Sequence, residues 1–521
     1  ALVTGAAGFI GSYLCEYLLK QGHKVVGIDD LSGGFLSNLE RIQFYTDARM
    51  FYLWRLHLGD GRLLDRYAEI MDGVDVVYHL AADATEGRSQ FTPFRCTSDG
   101  LLASNEVFAA AAKHKVKRVV YTSSMSVYGG QIPPFTEAME PEPVDIYGVN
   151  KAAAERCLQI LAETHGFEWT IIRPHNCYDD QTEVLTENGY RLFSQLTDAD
   201  RIATLNRQTG FVEYHVPQAR QKIRRQGVMY NFQGRMQDLC VTPDHKMWVK
   251  ATATGEWHFE TAQELVERKT AYSTRLSRKA AWRGKSPEFV AIPEVRDARG
   301  RLMTNGHQNG GTKLVNPALW AEFVGWYVSE GSKFKTAMNY IIVISQYKSA
   351  NPANYNRIVN LVKEMGFSPY LTGEKEVRIF SKQLYTMLDV CGQGSHGVRI
   401  PPDMKKWDCR LLEILYQTMM KGDGNNSGRR YNTVSKQLAD DFCELALKTG
   451  RSTTVSLERS STKFFIYRIS VCDGDTPQLG DNKTKKLNLR TLDYDGFVYD
   501  VTVPNHIIFV RRNGRACWSS N

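Results

Sequence analysis

The chain opens with the stretch Leu2-Val3-Thr4-Gly5-Ala6-Ala7-Gly8-Phe9-Ile10-Gly11. Its apolar start is typical of a short buried strand, and the residues from Phe9 to Gln21 have the apolar spacing of a helix. Glycines between such a strand and helix permit a tight turn and let backbone N–H groups and the helix N-terminus approach a pyrophosphate. The stretch therefore predicts a dinucleotide-binding turn, although a glycine-rich turn without a ligand has the same pattern.

The rest of the first 176 residues continues this alternation of strands and helices. Apolar runs at 24–28, 74–80, 116–121 and 169–172 are separated by segments with helical spacing. Such an alternation predicts a doubly wound parallel sheet of the α/β class. Asp29 ends the first of these runs, where a carboxylate can accept both ribose hydroxyls, and this favours NAD over a 2′-phosphorylated cofactor.

A tyrosine and a lysine form a second candidate site in this part of the chain. Tyr147 and Lys151 lie one helical turn apart and can face the same side of a helix. An ammonium beside the phenol would lower the phenol pKa and favour proton transfer. The pair is common by chance, but here it follows the segment Ser123-Ser124-Met125-Ser126-Val127-Tyr128-Gly129 at the end of a predicted strand.

In this order, the glycine-rich turn, Asp29, Ser124, Tyr147 and Lys151 resemble the extended short-chain dehydrogenase/reductase family, the NAD-dependent sugar-nucleotide epimerases and dehydratases. The resemblance implies that NAD is held by Gly5, Gly8, Gly11, Asp29 and Asp60. It also implies that Tyr147 is the acid/base group, that Ser124 hydrogen-bonds a nucleotide sugar, and that Lys151 assists. The family's nucleotide-sugar domain does not follow Asn176, so we expect this half-site to be incomplete and inactive by itself.

Composition places the chain among soluble proteins of several domains. It has 521 residues, 42% hydrophobic and 23% charged, and no apolar run of the roughly 18 residues that a membrane helix needs. The ten cysteines include no C-x-x-C pair, which indicates neither a disulfide framework nor a zinc site. This use of cysteine favours a reducing, cytoplasmic location. The lack of a long apolar run predicts no membrane partner. A formal net charge of +8 suits a nucleic-acid partner and equally a moderately basic enzyme.

From Cys177 onward the pattern changes to short strands separated by turn residues. Near the start of this region lies Cys240-Val241-Thr242-Pro243-Asp244-His245, and near its end lies Val498-Tyr499-Asp500-Val501-Thr502-Val503-Pro504-Asn505-His506, followed by the final Asn521. In this order the segments resemble the splicing blocks of inteins. The resemblance implies an all-β Hint horseshoe splicing domain whose catalytic residues are Cys177, Thr242, His245, Asp500, His506 and Asn521.

The implied chemistry needs these residue types. Cys177 would attack the carbonyl of Asn176 and convert an amide into a thioester, helped by Thr242 and by the imidazole of His245. Asp500 and His506 would assist later steps, and Asn521 would cyclise through its side-chain amide. Each residue alone is more common as a core or turn residue, whereas their order and their placement at the two ends favour catalysis.

Two departures from the intein pattern limit this expectation. Ser520 stands where inteins usually carry histidine, so we expect asparagine cyclisation to be slow and to depend more on His506. No residue follows Asn521 in this chain. We therefore expect at most thioester formation and hydrolysis between Asn176 and Cys177.

Between the two predicted splicing regions lie two helical segments, 319–331 and 412–424, about ninety residues apart, a spacing typical of a tandem repeat. Each reaches an acidic residue followed by glycine, and together they resemble the LAGLIDADG homing endonucleases, an α+β fold. The resemblance implies that Glu330 and Asp423 bind Mg²⁺ and that double-stranded DNA of the uninterrupted host gene is the partner. Helix ends of a decayed nuclease remain the alternative. Lys436 is either a catalytic lysine or a solvated surface charge, which is the more common role of a lysine.

The sequence thus predicts four regions: 1–176, the amino-terminal part of an epimerase/dehydratase; 177–300, the first splicing region; 316–475, the endonuclease; and 487–521, the second splicing region. A second hypothesis is an NAD-dependent sugar-nucleotide epimerase with a catalytically dead DNA-binding insert.

Overall fold

The computed structural model describes two compact units, Ala1–His175 and Asn176–Asn521. It describes all residues except 83–88, 90, 130, 132–134, 136, 174–176, 252–254, 269, 297–298, 301, 303–310, 338, 426, 460–464, 473–475 and 521. Two predicted splicing residues, Asn176 and Asn521, therefore lie outside the described residues. Within the described ranges, no helix has both the length and the apolar character needed to cross a membrane.

The first unit is built on one parallel sheet of six strands. The strands are β1 (Leu2–Thr4), β2 (Val25–Asp29), β3 (Phe51–Arg55), β4 (Val76–His79), β5 (Arg118–Thr122) and β6 (Glu168–Ile172). Their order is β3-β2-β1-β4-β5-β6, and every neighbouring pair is parallel. The direction of winding reverses between β1 and β4. The predicted doubly wound parallel sheet is confirmed.

Apolar clusters cover both faces of this sheet. Leu2 belongs to a cluster with Phe108, and Val3 belongs to another with Leu18, because successive side chains of a strand point to opposite faces. The helices are α1 (Phe9–Lys20), α2 (Gln43–Asp47), α3 (Arg62–Asp65), α4 (Tyr67–Ile70), α5 (Pro93–Thr97), α6 (Ala103–His114) and α7 (Ile146–His165). Shorter turns of 3₁₀ or π type cover Leu36–Ile42, Ser98–Leu102 and Met125–Tyr128.

The second unit begins with short, antiparallel strands, as the turn-rich sequence predicts. These are β7 (Glu183–Thr186), β8 (Gly189–Leu192), β9 (Ile202–Leu205), β10 (Val212–His215), β11 (Ala219–Gln233), β12 (Asp238–Val241), β13 (Lys246–Lys250), β14 (His258–Thr261), β15 (Arg275–Leu276), β16 (Val290–Ile292) and β17 (Lys313–Val315). One α-helix, α8 (Ala262–Glu267), lies among them, with 3₁₀ turns at Phe193–Gln195 and Ala271–Ser273.

The middle of this unit alternates helices and strands in two halves. The helices are α9 (Pro317–Glu330), α10 (Pro352–Glu364), α11 (Lys382–Met387), α12 (Gly394–Gly397), α13 (Cys409–Gly422) and α14 (Lys436–Lys448), with 3₁₀ turns at Leu388–Cys391 and Met404–Lys406. The strands are β18 (Gly331–Lys335), β19 (Tyr340–Ser345), β20 (Pro369–Thr372), β21 (Glu376–Phe380), β22 (Arg430–Thr433), β23 (Ser452–Arg459) and β24 (Phe465–Cys472). Strands β18 to β21 form one four-stranded sheet in the order β18-β19-β21-β20.

The last strands return to the start of the unit. They are β25 (Gly480–Asp481), β26 (Lys486–Leu487), β27 (Leu489–Thr502), β28 (Ile507–Arg512) and β29 (Arg515–Ser520). Strand β27 pairs with β11 along its whole length, from Ala219↔Thr502 to Phe232↔Leu489. This long antiparallel pair holds the two predicted splicing regions side by side.

The two predicted splicing regions and the second half of the predicted endonuclease share a single sheet. Its path is β10-β9-β7-β28-β29-β23-β24-β22, with β8 paired to β7. Strand β29 meets β23 where Thr454 pairs with Arg515 and Val455 N donates to Gly514 O. One buried cluster includes Tyr214, Trp518 and Phe442. The endonuclease region is therefore not a separate body within this unit.

Candidate functional sites

The backbone of the glycine-rich turn in the first unit packs closely on itself because its glycines lack side chains. Gly5 has a φ of 67°, and a Cβ added at Gly11 would lie 2.0 Å from the Gly5 carbonyl oxygen. Helix α1 starts directly after Gly8. Asp29 faces this turn, since its carboxylate accepts from Ala7 N at 2.9 Å and from Leu31 N at 2.8 Å. The turn, the helix N-terminus and the carboxylate thus share one end of the sheet, where a dinucleotide fits.

Asp60 follows β3 and holds the next turn. Its carboxylate lies 3.0 Å from Arg62 Nε and accepts from Arg62 N at 3.2 Å. Glu106, buried on α6, accepts from Leu63 N at 2.7 Å. Asp60 is partly exposed, so it remains accessible to a ligand.

Ser124, Tyr147 and Lys151 come together in the first unit. Ser124 Oγ accepts from Ser126 N at 3.2 Å, and the Tyr147 hydroxyl hydrogen-bonds Ser124. Lys151 Nζ donates to Thr122 O at 2.7 Å and lies 5.6 Å from the centroid of the Tyr147 ring. Burial lowers the pKa of Lys151 to about 8 and raises that of Tyr147 above its usual range.

Cys177 lies at the start of the second unit and is 2% exposed. Its backbone is held by Thr242: Cys177 N donates to Thr242 Oγ1 at 3.2 Å, and Thr242 N donates to Cys177 O at 3.0 Å. The next residue, Tyr178, bridges to Val241 and to Tyr499. Burial, reinforced by the charges of Asp500 and Asp244, raises the pKa of the Cys177 thiol well above its usual range. The thiol is therefore protonated near neutral pH and needs a base.

His245 is fully buried beside this cysteine segment. Burial lowers the pKa of His245 to about 3, so the imidazole is neutral at physiological pH. Its Nε2 lies 3.1 Å from Ser519 Oγ, and its Nδ1 has no hydrogen-bond partner among the described residues. The neutral ring can donate a hydrogen bond through one nitrogen and accept one through the other, and its lowered pKa makes it a weak base.

Asp500 and His506 occupy different environments. Asp500 is buried, accepts from Val501 N at 2.8 Å, and has a pKa raised by burial and by the charge of Asp244. His506 lies at an exposed turn with a φ of 54°, directly before Ile507, which pairs with Ser520. Asp500 thus belongs to the buried cluster around Cys177, whereas His506 lies outside it, directly before β28.

Glu330 and Asp423 converge at the ends of two closely packed helices. Glu330 is the last residue of α9, and Asp423 directly follows α13. A Cβ added at Gly422 would lie 2.6 Å from Ser329 Cβ and 3.3 Å from Glu330 Cγ. Burial, and then the charge of Glu330, raises the pKa of Asp423 to about 7. Within the described ranges, no group of three or more His, Cys, Asp or Glu residues is arranged to hold a metal ion, and this junction has two carboxylates.

Lys436 is a surface charge of α14. Its Nζ lies 2.9 Å from Asp440 and 3.7 Å from Glu183, and the side chain is 55% exposed. The exposure and the two acidic neighbours agree with the role of a solvated surface charge.

Several buried polar residues have contacts that the local sequence does not indicate. Tyr431 lies beside the acidic pair through its 3.3 Å contact with Ser329 Oγ. Arg511 joins Glu183 to Asp440, and Tyr178 reaches the carbonyl of Ser520. Each joins residues far apart in the chain, so no local pattern indicates them.

Residues 1–196 match the model of the NAD dependent epimerase/dehydratase family. The first unit is an epimerase/dehydratase domain. The chain is 34% identical over 203 residues to UDP-glucose 4-epimerase of Mycolicibacterium smegmatis, covering 38% of this chain and 63% of that protein. It thus spans less than two thirds of this relative.

Two further relatives are not named as epimerases. An ATP-dependent Clp protease proteolytic subunit of Chlamydomonas moewusii is 25% identical over 323 residues, covering 58% of this chain and 30% of that protein. A DNA-directed RNA polymerase subunit beta C-terminal section of Stigeoclonium helveticum is 24% identical over 434 residues, covering 69% of this chain and 38% of that protein. Because the first unit is about a third of the chain, both matches extend into the second unit.

Proposed function

We propose that the second unit is an intein that interrupts an NAD-dependent sugar-nucleotide epimerase/dehydratase and carries a DNA endonuclease. The proposal is supported most directly by the contacts that bring the two ends of this unit together. Cys177 is held by Thr242, and His245 reaches Ser519, two residues from the predicted carboxyl-terminal asparagine. A stable fold does not by itself require a thiol, an imidazole and a buried acid where the two ends of this unit meet.

The first step moves the acyl group of Asn176 from nitrogen to sulfur. The Cys177 sulfur bonds to the Asn176 carbonyl carbon, the bond from that carbon to Cys177 N breaks, and the thiol proton ends on the new amine. Because the thiol is protonated and His245 is neutral, the imidazole relays this proton from the sulfur to the leaving nitrogen as the bonds change, without forming a lasting imidazolium. Thr242 holds the Cys177 backbone while the amide becomes an amine.

The protease and polymerase relatives support an insert. Neither is named as an epimerase, yet both share sequence with this chain beyond its first unit. A segment that occurs in proteins of unrelated function is what an intein predicts. The second hypothesis, an epimerase with a catalytically dead DNA-binding insert, leaves the cluster around Cys177 without a role.

Thiol-induced cleavage tests the splicing proposal. Excess dithiothreitol captures a thioester between Asn176 and Cys177, so the chain is expected to release residues 1–176, measured by electrophoresis and mass spectrometry. Cleavage is expected to accelerate as pH rises above neutrality, because the raised pKa of the thiol limits its ionisation.

The matched control is Cys240, a second buried cysteine in the same apolar cluster. Cys177→Ala is expected to abolish release, whereas Cys240→Ala is expected to retain it. Release of residues 1–176 by Cys177→Ala at the parent rate contradicts the proposal.

The endonuclease proposal rests on the convergence of Glu330 and Asp423. Two carboxylates at one helix junction, with the pKa of each raised, match the oxygen ligands that Mg²⁺ prefers. When bound, Mg²⁺ supplies charge neutralisation and activation of water for phosphodiester hydrolysis. Glu330 and Asp423 would hold the cation between the two helix ends. Double-stranded DNA containing the uninterrupted host gene is the proposed substrate.

Magnesium-dependent nicking is expected to depend on pH. Around pH 7 and below, the Asp423 carboxyl takes up a proton and binds the cation less well, so activity is expected to rise through about pH 7 and to level off only above it. In the metal-free protein the same raised pKa makes stability fall as pH rises from 3.8 towards 7. Nicking of a supercoiled plasmid with the target, at saturating DNA and limiting Mg²⁺, measures the profile.

Two variants complete this test. Asp423→Asn is expected to abolish nicking, and Glu413→Gln, which alters a carboxylate on the same helix that pairs with Arg451, is expected to retain it. A flat profile, or full activity in Asp423→Asn, counts against the metal site.

For the first unit we propose that NAD and a nucleotide sugar are ligands of the complete enzyme. The turn at Gly5, Gly8 and Gly11 beside Asp29 supports this proposal, because its glycines let backbone N–H groups and the helix N-terminus approach a pyrophosphate. NAD supplies hydride transfer when bound. Tyr147, Ser124 and Lys151 would then position the sugar and move its proton.

A further inference from the structure

The terminal strand of the second unit is held by the residue that follows Cys177. The Tyr178 hydroxyl donates to the carbonyl oxygen of Ser520 and also contacts Ser519. Ser520 carries the last described carbonyl, and this carbonyl belongs to the peptide that leads into Asn521. The dipeptide Cys177-Tyr178 therefore reaches both ends of the proposed intein.

Tyr178 is fixed by its surroundings. It is fully buried, its N–H donates to Tyr499 O at 2.8 Å, and its carbonyl accepts from Tyr499 N at 2.9 Å. Its ring stacks on Phe193 with centroids 5.2 Å apart and meets the His245 ring edge-on at 4.4 Å. Because these contacts hold the Tyr178 ring, its hydroxyl points towards the end of β29.

The side chain of Ser520 does not supply an equivalent contact. Ser520 Oγ is buried and has no hydrogen-bond partner among the described residues. On its other side, Ser520 pairs with Ile507 across the sheet. The hydroxyl of Tyr178 is thus the side-chain donor that orients the Ser520–Asn521 peptide.

We infer that Tyr178 is a positioning residue for cleavage after Asn521. In that step the Asn521 side-chain nitrogen bonds to its own carbonyl carbon, the bond to the following residue breaks, and the leaving amine takes up the proton. A fixed Ser520 carbonyl restrains the peptide that precedes Asn521, and such a restraint reduces the entropy lost on reaching the attack geometry. This inference rests on the proposed function.

The full chain, extended beyond Asn521 by a reporter protein and carrying Cys177→Ala, isolates this step. Tyr178→Phe removes the hydroxyl and keeps the ring, and is expected to slow release of the reporter by about tenfold or more. Tyr230→Phe is the matched control. It removes another buried hydroxyl of the same apolar cluster, one that donates to Gln263, and is expected to leave release unchanged.

The possible results of this experiment either support the positioning role or contradict it. Slow release in Tyr178→Phe, with an unchanged thermal midpoint and, in the Cys177-containing chain, unchanged thiol-induced cleavage, supports the positioning role. Release at the parent rate, or loss of both cleavages together with a lowered midpoint, overturns it. If the extended Cys177→Ala parent releases no reporter, the proposed function fails at this end and the inference fails with it.

Discussion

Arg511→Met is expected to lower the free energy of unfolding of the second unit by about 3 to 5 kcal/mol, because it removes one partner of a buried ionic contact. Arg511 is 5% exposed, and its guanidinium lies 2.7 Å from both Glu183 and Asp440. Glu183 begins β7 and Asp440 lies on α14. Methionine keeps much of the volume but leaves both carboxylates without their cation. Denaturation by urea, followed by tryptophan fluorescence, measures the loss.

Lys436→Met is the control for this prediction. Lys436 also pairs with Asp440, but its side chain is 55% exposed, and such pairs contribute no more than about 1 kcal/mol. We expect the arginine substitution to have several times the effect of the lysine one. Equal effects would show that the buried contact does not join these regions.

Gly325→Ala is the second large prediction. A Cβ at this position would lie 2.7 Å from Thr418 Cβ and 3.2 Å from Leu415 O, so α9 and α13 must separate. We expect a destabilisation of about 1 to 3 kcal/mol. We also expect loss of magnesium-dependent nicking, since Glu330 and Asp423 lie at the ends of these helices. Thermal unfolding and plasmid nicking provide the measurements.

A second substitution tests the cause of this effect. Thr418→Gly removes the Cβ that collides, so the double variant is expected to be less destabilised than the sum of the two single variants. Gly397→Ala serves as the control, because nothing lies within 4 Å of the added atom. Additive effects in the double variant would rule out a collision between the helices.

The shared sheet changes how the proposed endonuclease relates to the proposed intein. Strands β22 to β24 extend the sheet that contains β28 and β29, and buried Arg278 donates to both Ala516 O and Thr453 O. Lys405 adds a contact to Glu187 O at 2.9 Å. Removal of residues 316–475 would expose these groups, so the second half of the repeat is part of the structure that supports the proposed splicing site.

The first unit could be predicted from sequence because its determinants are local. Strand and helix spacing, the turn at Gly5, Gly8 and Gly11, and the position of Asp29 all lie within the first 29 residues. A Tyr-x-x-x-Lys pair lies on one helix, so its two side chains face one side by geometry alone. The family match over residues 1–196 agrees with this part of the prediction.

The protonation of the candidate splicing residues could not be predicted in the same way. Complete burial lowers the pKa of His245 to about 3, so the ring is neutral and only weakly basic in the folded protein, which no sequence pattern indicates. The environment of His506 is likewise a property of the fold, since the turn before β28 leaves it exposed.

Residue order alone specified the parallel sheet, the break in pattern at Cys177 and the two acidic helix ends, since each depends on neighbours a few positions apart. Folding in three dimensions specified which distant groups meet: Arg511 with Asp440, Tyr178 with Ser520, and β29 with β23. These contacts join residues between about 60 and 340 positions apart. Such pairs form only when apolar burial closes long loops, a collective outcome that no short stretch of sequence encodes.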